Sequence, residues 1–124
     1  MAHPAEQFVG LEYDAQRFDC ADFVMHVQRA LFGREVMLNG RRPRGARGVA
    51  ELGALSRQYG VPTDAPEDGD MVLMRNGAGG WHVGVYFLIL AEGYVLHCPA
   101  EGAGSRLELI RSLPMTVEGY YRWI

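Results

Sequence analysis

Two residues in the chain have side chains and neighbours suited to nucleophilic chemistry. Cys20 follows Asp19 and opens an apolar-periodic stretch, and His82 opens the segment His82-Val83-Gly84-Val85-Tyr86. A thiol reacts as its thiolate, and helix-start N–H dipoles with a nearby imidazolium lower its pKa from ~8.5 to between ~3.5 and 7.5. Imidazole can accept the thiol proton and later return it to a leaving amine. Together such groups carry out acyl transfer through a thioester, with backbone N–H groups at the helix start stabilising the oxyanion. Cys20 is equally compatible with a plain role as a small buried hydrophobe on a core face.

A base of this kind needs a group to orient its second ring nitrogen. His97 is the natural candidate and Glu101 the backup. A hairpin turning around Ala91-Glu92-Gly93 sets His97 opposite Phe87, about 17 Å along an ideal strand from His82. On spacing alone His97 therefore reads as a hydrogen-bonded structural histidine. His82, His97 and Cys98 could bind zinc, but no histidine pair has the i, i+4 spacing of a helical zinc motif. No metal or other cofactor is expected. His26 with Asp22 reads as a solvated i, i+4 pair and His3 as a terminal residue. Cys98 reads as buried packing, and Trp81 as a packing residue placed to flank a cleft beside His82.

The elements that must position these groups follow from periodicity. Glu6 to Gly10 suits a short helical turn. Asp19 suits a helix N-cap. From Ala21 to Phe32, Cys20, Phe23, Val24, Val27 and Leu31 share one face, Asp22, His26 and Arg29 fall on another, and Gly33 ends the run. The loop 39–48, rich in glycine and arginine, cannot pack a core. Arg41, Arg42, Arg44 and Arg47 there read as solvated, or as a contact for an acidic partner. A second helix is expected from about Ala46 to Tyr59, with Gly60 as its stop and turn chemistry over Pro62 to Asp70. The period then changes to two. Strands are expected at Met71–Met74, His82–Leu90, Tyr94–Cys98, Arg106–Ile110 and Tyr120–Ile124. Helices followed by antiparallel strands indicate an α+β fold.

At 124 residues the chain is sized for a single domain spanning 1–124, with enough buried surface for one core. A hydrophobic fraction of 48% argues against disorder, and a net charge of −3 gives no reason to expect a nucleic-acid partner. Two cysteines are too few for a disulfide framework and read as thiols. No stretch has the pattern of a secretory signal, and the longest apolar run is too short to cross a bilayer. Synthesis in the cytoplasm and no membrane partner are therefore expected.

Five segments in order resemble one family. They are Gly10-x-x-Tyr13; Phe18-Asp19-Cys20-Ala21-Asp22-Phe23-Val24; Pro66-Glu67-Asp68-Gly69-Asp70-Met71-Val72; His82-Val83-Gly84-Val85-Tyr86; and Val95-Leu96-His97. Across about residues 8 to 110 the chain resembles the NlpC family, papain-like cysteine peptidases that cut peptidoglycan stem peptides. The resemblance implies a papain-like fold, with N-terminal helices packed on an antiparallel sheet or half-barrel. It also implies Cys20 as nucleophile, His82 as base, His97 as the polar third residue and Tyr13 as an aid to the oxyanion. The family commonly has Asp-Cys-Ser-Gly where this chain has Asp-Cys-Ala-Asp. A Gly-Gly pair usual after the tyrosine is replaced by Ala15-Gln16-Arg17. These departures border the cleft and bear on specificity, so Asp19, Ala21, Asp22 and Trp81 are the expected substrate contacts. The compact chain, without wall-binding repeats, is similar to the phage-tail branch, which implies tail proteins as partners beside the stem peptide. Two alternatives stand: a tail assembly protein with this fold and little activity, and a thiol acyltransferase.

Overall fold

The computed structural model describes residues 3–36, 59–75, 80–100 and 104–124. A 3-10 turn, Pro4–Phe8, begins under a cap from His3, whose Nδ1 accepts from the Ala5 N–H at 3.0 Å. An α-helix, α1, spans Cys20–Phe32. Its start is a reciprocal capping box. The Asp19 carboxylate accepts from the Ala21 and Asp22 N–H groups, and the Asp22 carboxylate accepts from the Asp19 N–H. Gly33 ends it at φ 64°, and the Arg34 N–H closes back on the Gln28 carbonyl at 3.1 Å, as in a Schellman motif.

Six strands follow: β1 Gly60–Thr63, β2 Met71–Arg75, β3 Trp81–Ile89, β4 Glu92–His97, β5 Arg106–Leu109 and β6 Thr116–Trp123. They form a single antiparallel sheet of order β1-β6-β2-β3-β4-β5. The architecture is α+β, as the change of period implies. The buried side chains of α1 are Cys20, Ala21, Phe23, Val24, Val27 and Gln28. The apolar ones pack with Val83, Val85, Phe87, Leu96 and Cys98 on one face of the sheet. Val72, Met74, Tyr86 and Val95 form a second cluster, covered by Ile110, Leu113, Met115, Val117 and Tyr120. Both faces of the central strands are thus covered. This is why Met71–Met74 is buried without alternation.

Several expectations shift. The segment Gly60–Thr63 is an edge strand on β6 rather than a helix stop running into a turn, and Pro62 is tolerated because it lies on that edge. The last strand is longer than expected, and β5 gives way to a 3-10 turn at Ile110–Ser112. The β3–β4 hairpin turns at Leu90 and Ala91, with φ of 50° and 65°, not around Glu92. Paired positive φ values at a two-residue loop match the twist of the flanking strands. Gly93 serves another purpose. A Cβ there would lie 3.2 Å from the Tyr86 ring and hydroxyl, so its glycine admits the Tyr86 side chain. The expected second helix lies, apart from Tyr59, outside the described residues, as do the basic loop and Glu101.

Candidate active site

Cys20 is the first residue of α1 and is 3% exposed. It packs in the cluster that holds Val83 and Cys98, the chain neighbours of His82 and His97. Asp19, one residue before it, acts electrostatically on Cys98, so the helix start lies beside the end of β4. Tyr13 packs, partly buried, against the same cluster. It precedes a short loop in which Asp14 and Phe18 bridge and the Asp14 Oδ1 accepts from the Gln16 and Arg17 N–H groups. The side chain of Asp14 thereby shapes the loop at Ala15-Gln16-Arg17.

Hairpin register decides the fate of His97. With the turn at Leu90-Ala91, His97 pairs with Gly84 rather than Phe87. His82 and Gly84 point to one side of β3, so His97 lies diagonal to His82 on the same face. The rings meet: His82 Nε2 is 2.8 Å from His97 Nδ1. The expected 17 Å gap does not exist, because the turn comes earlier than glycine placement suggests. Gly84 makes the approach possible. A Cβ there would lie 2.5 Å from Val95 Cγ2 and 3.0 Å from His97 Cβ.

The pair continues to β5. His97 Nε2 lies 2.9 Å from Glu108 Oε1, and Arg106 Nε is 3.1 Å from the same oxygen. Neighbouring strands β3, β4 and β5 each supply one member of a line His82–His97–Glu108. His82 is 7% exposed and His97 fully buried. Burial pushes the His82 pKa down to about 3, with His97 and Arg106 adding to the effect. Burial also lowers that of His97, against the opposing pull of Glu108. At neutral pH both rings are uncharged, so each ring keeps one nitrogen lone pair.

The second thiol differs. Cys98 donates to the Leu11 carbonyl at 3.6 Å, and burial, reinforced by Asp19, pushes its pKa up to about 11. Both cysteines are free thiols. Among the described residues no cluster of three or more His, Cys, Asp or Glu side chains is arranged to hold a metal ion. Cys98 belongs to the cluster on the α1 side of the sheet.

The remaining expected residues have clear places. Asp19 and Ala21 are buried, and the Asp19 and Asp22 carboxylates are engaged in the capping box. Trp81 is half-buried at the start of β3, with the Arg75 guanidinium 4.1 Å from its ring centre. The His26 ring is half-buried and packs edge-on against Phe8 and Phe18. His3 caps the first turn and meets Phe87. Sequence reasoning missed Glu108 and the steric need for Gly84. The alternation in Arg106-Leu107-Glu108-Leu109 was a signal that both charges share a face, but not which face.

No curated protein matches the chain in sequence. The profile of the NlpC/P60 family matches residues 8–115, spanning the helix start and all three strands of the histidine line. The chain therefore belongs to the NlpC/P60 family, whose members are cell-wall cysteine peptidases and amidases.

Proposed function

We propose that the protein hydrolyses peptide bonds of bacterial peptidoglycan stem peptides, with Cys20 as nucleophile and a thioester intermediate. The observation that carries this reading is the 2.8 Å contact between His82 and His97, two buried neutral imidazoles on strands β3 and β4, against which the helix opened by Cys20 packs. In the proposed cycle Cys20 Sγ attacks the scissile carbonyl carbon and its proton passes to His82. His82 then protonates the leaving amine as the C–N bond breaks. Water, deprotonated by His82, attacks the thioester and releases the acid and the thiol. His97 orients His82. The developing oxyanion is assigned to the Cys20 amide with the Tyr13 hydroxyl, since the Ala21 and Asp22 amides serve Asp19. Trp81 borders the cleft.

Digestion of purified peptidoglycan by the wild type and by Cys20→Ala, with products read by mass spectrometry, tests the assignment. Release of stem fragments by the wild type, and a loss of about 10³-fold or more in the variant, is the expected result. Equal release by both proteins removes Cys20 from the chemistry. A tail assembly role with little activity predicts no fragments from either protein. An acyltransferase predicts products joined to an added amine instead of two free ends.

A further inference from the structure

Two neutral imidazoles joined by one hydrogen bond can order their protons in either direction, and only one order leaves a basic nitrogen on His82 away from His97. We infer that Glu108 is a positioning residue that sets this order, holding His82 as its Nε2–H tautomer so that its Nδ1 is the basic atom. The inference rests on the peptidase reading only in naming Cys20 as the source of the proton that Nδ1 receives.

The direction follows from what each atom can do. An ionised carboxylate only accepts, so at 2.9 Å Glu108 Oε1 takes a proton from His97 Nε2. A neutral His97 then has only a lone pair at Nδ1. His82 Nε2, 2.8 Å away, must be the donor, and its Nδ1 is left unprotonated. The reverse order would require a proton on Glu108 or a second proton on His97. Burial opposes a charged His97, lowering its pKa. Arg106 stands 3.1 Å from the accepting oxygen as counter-charge for the carboxylate. The sheet register makes this reach possible. Glu108 pairs with Val95, and Arg106 pairs with His97, so both side chains flank His97 on its own face. No rearrangement is needed, because β5 is an edge strand hydrogen-bonded to β4 along that stretch.

The test uses the full chain labelled with ¹⁵N-histidine, in which long-range ¹H–¹⁵N correlations report the tautomer of each ring. The wild type is expected to show His82 only as Nε2–H. In Glu108→Ala an Nδ1–H population of His82 should appear, and kcat on stem peptide should fall about 10- to 100-fold with little change in KM. Glu108→Gln keeps the shape of the side chain but can offer either an oxygen or an N–H to His97, so a smaller Nδ1–H population is expected. It also decides the matter where the alanine variant does not fold. Glu92→Gln, which alters a β4 carboxylate paired with exposed Arg111 of the 3-10 turn, should leave the tautomer unchanged. The proposal is overturned if His82 stays wholly Nε2–H in both Glu108 variants, even where kcat drops, because Glu108 would then be only structural. A wild type that cuts no peptidoglycan would sink the peptidase reading, whereas the tautomer spectra would still decide the role of Glu108.

Discussion

Two polar networks fasten the same sheet, and they differ in what their groups can do. At the β3–β5 side, His82, His97 and Glu108 form a line whose inner members are buried and uncharged. At the Pro66–Asp70 turn, the Gly69 carbonyl accepts from Gln28 Nε2 at 2.8 Å and from Trp123 Nε1 at 3.0 Å. Beside it, Asp70 takes the Glu67 N–H at 2.8 Å and the Arg122 guanidinium at 2.9 Å. The turn network ties α1, β2 and β6 together through a backbone carbonyl and a cation whose pKa is raised by Asp70. Nothing in it changes protonation near neutral pH through Arg122. The histidine line is made of groups that do titrate in ordinary solution, held neutral by burial. One network is a fastening of fixed charge and the other is titratable, although both are built from hydrogen bonds of similar length.

The difference shows most strongly in acid. The unfolded chain binds a proton at His82 near pH 6.5, but the folded chain resists it down to about pH 3. Between those values the unfolded state holds more protons, so stability is fully present above about pH 6.5 and drains away as pH falls toward 3. The slope approaches about 1.4 kcal/mol per pH unit for this group at most, with His97 acting in the same direction. Urea denaturation at stepped pH should show the loss, and His82→Gln should flatten the curve. An unchanged slope in that variant would remove His82 as its cause.

Gly84→Ala should come next in size, and it strikes only the histidine line. The added methyl would sit 2.5 Å from Val95 Cγ2 and 3.0 Å from the Leu96 carbonyl and His97 Cβ, so β4 must move. Overpacking of this kind costs about 1–3 kcal/mol. A displacement near 1 Å in a positioned group can cost about 10²-fold in rate. Hydrolysis of stem peptide and chemical denaturation together check this. Wild-type rates with wild-type stability would show that the His97 approach does not depend on a bare Gly84.

The helix with its two caps was legible from the sequence because its signals are local. Asp19, Asp22 and Gly33 act within five residues of the atoms they satisfy. The His82–His97 contact was legible only through the resemblance, since it depends on a register set by the turn. The turn falls on Leu90-Ala91, two residues with no marked preference for positive φ, while the nearby glycine that suggested a turn is used to admit Tyr86. Glu108 was hidden for a further reason. Its role requires knowing the register in which β5 returns beside β4, and that register leaves no periodic trace in the sequence. The edge strand at Gly60 was obscured because Pro62 reads as a breaker, and only pairing with the chain end rescues it.

Asp70→Ala tests the fastening by itself. Asp70 is 4% exposed, and its loss leaves the Glu67 N–H and one side of Arg122 without their acceptor. A cost of about 1–3 kcal/mol is expected, without change in turnover per folded molecule. Thermal denaturation and active-site titration separate the two quantities. A marked fall in kcat at full folding would show the two networks to be coupled.

The smallest effect comes from Asp19, where fastening and chemistry share one residue. Its Oδ1 accepts from Ala21 at 3.1 Å and from Asp22 at 3.0 Å, so Asp19→Ala should lose about 1 kcal/mol as a removed N-cap. Asp19→Asn keeps an acceptor oxygen in the same place and removes only the charge, so its stability should stay close to wild type. The two variants therefore divide the roles. A negative charge beside a thiol opposes the thiolate, so with the cap kept and the charge gone, Cys20 should react faster with iodoacetamide at fixed pH near 7. Cys98 also loses its Asp19 repulsion, but it is fully buried and bonded to Leu11, so labelling followed by peptide mapping should find the gain at Cys20. An unchanged alkylation rate in Asp19→Asn would mean that the capping bonds already neutralise the carboxylate, leaving Asp19 to the fastening side of the comparison alone.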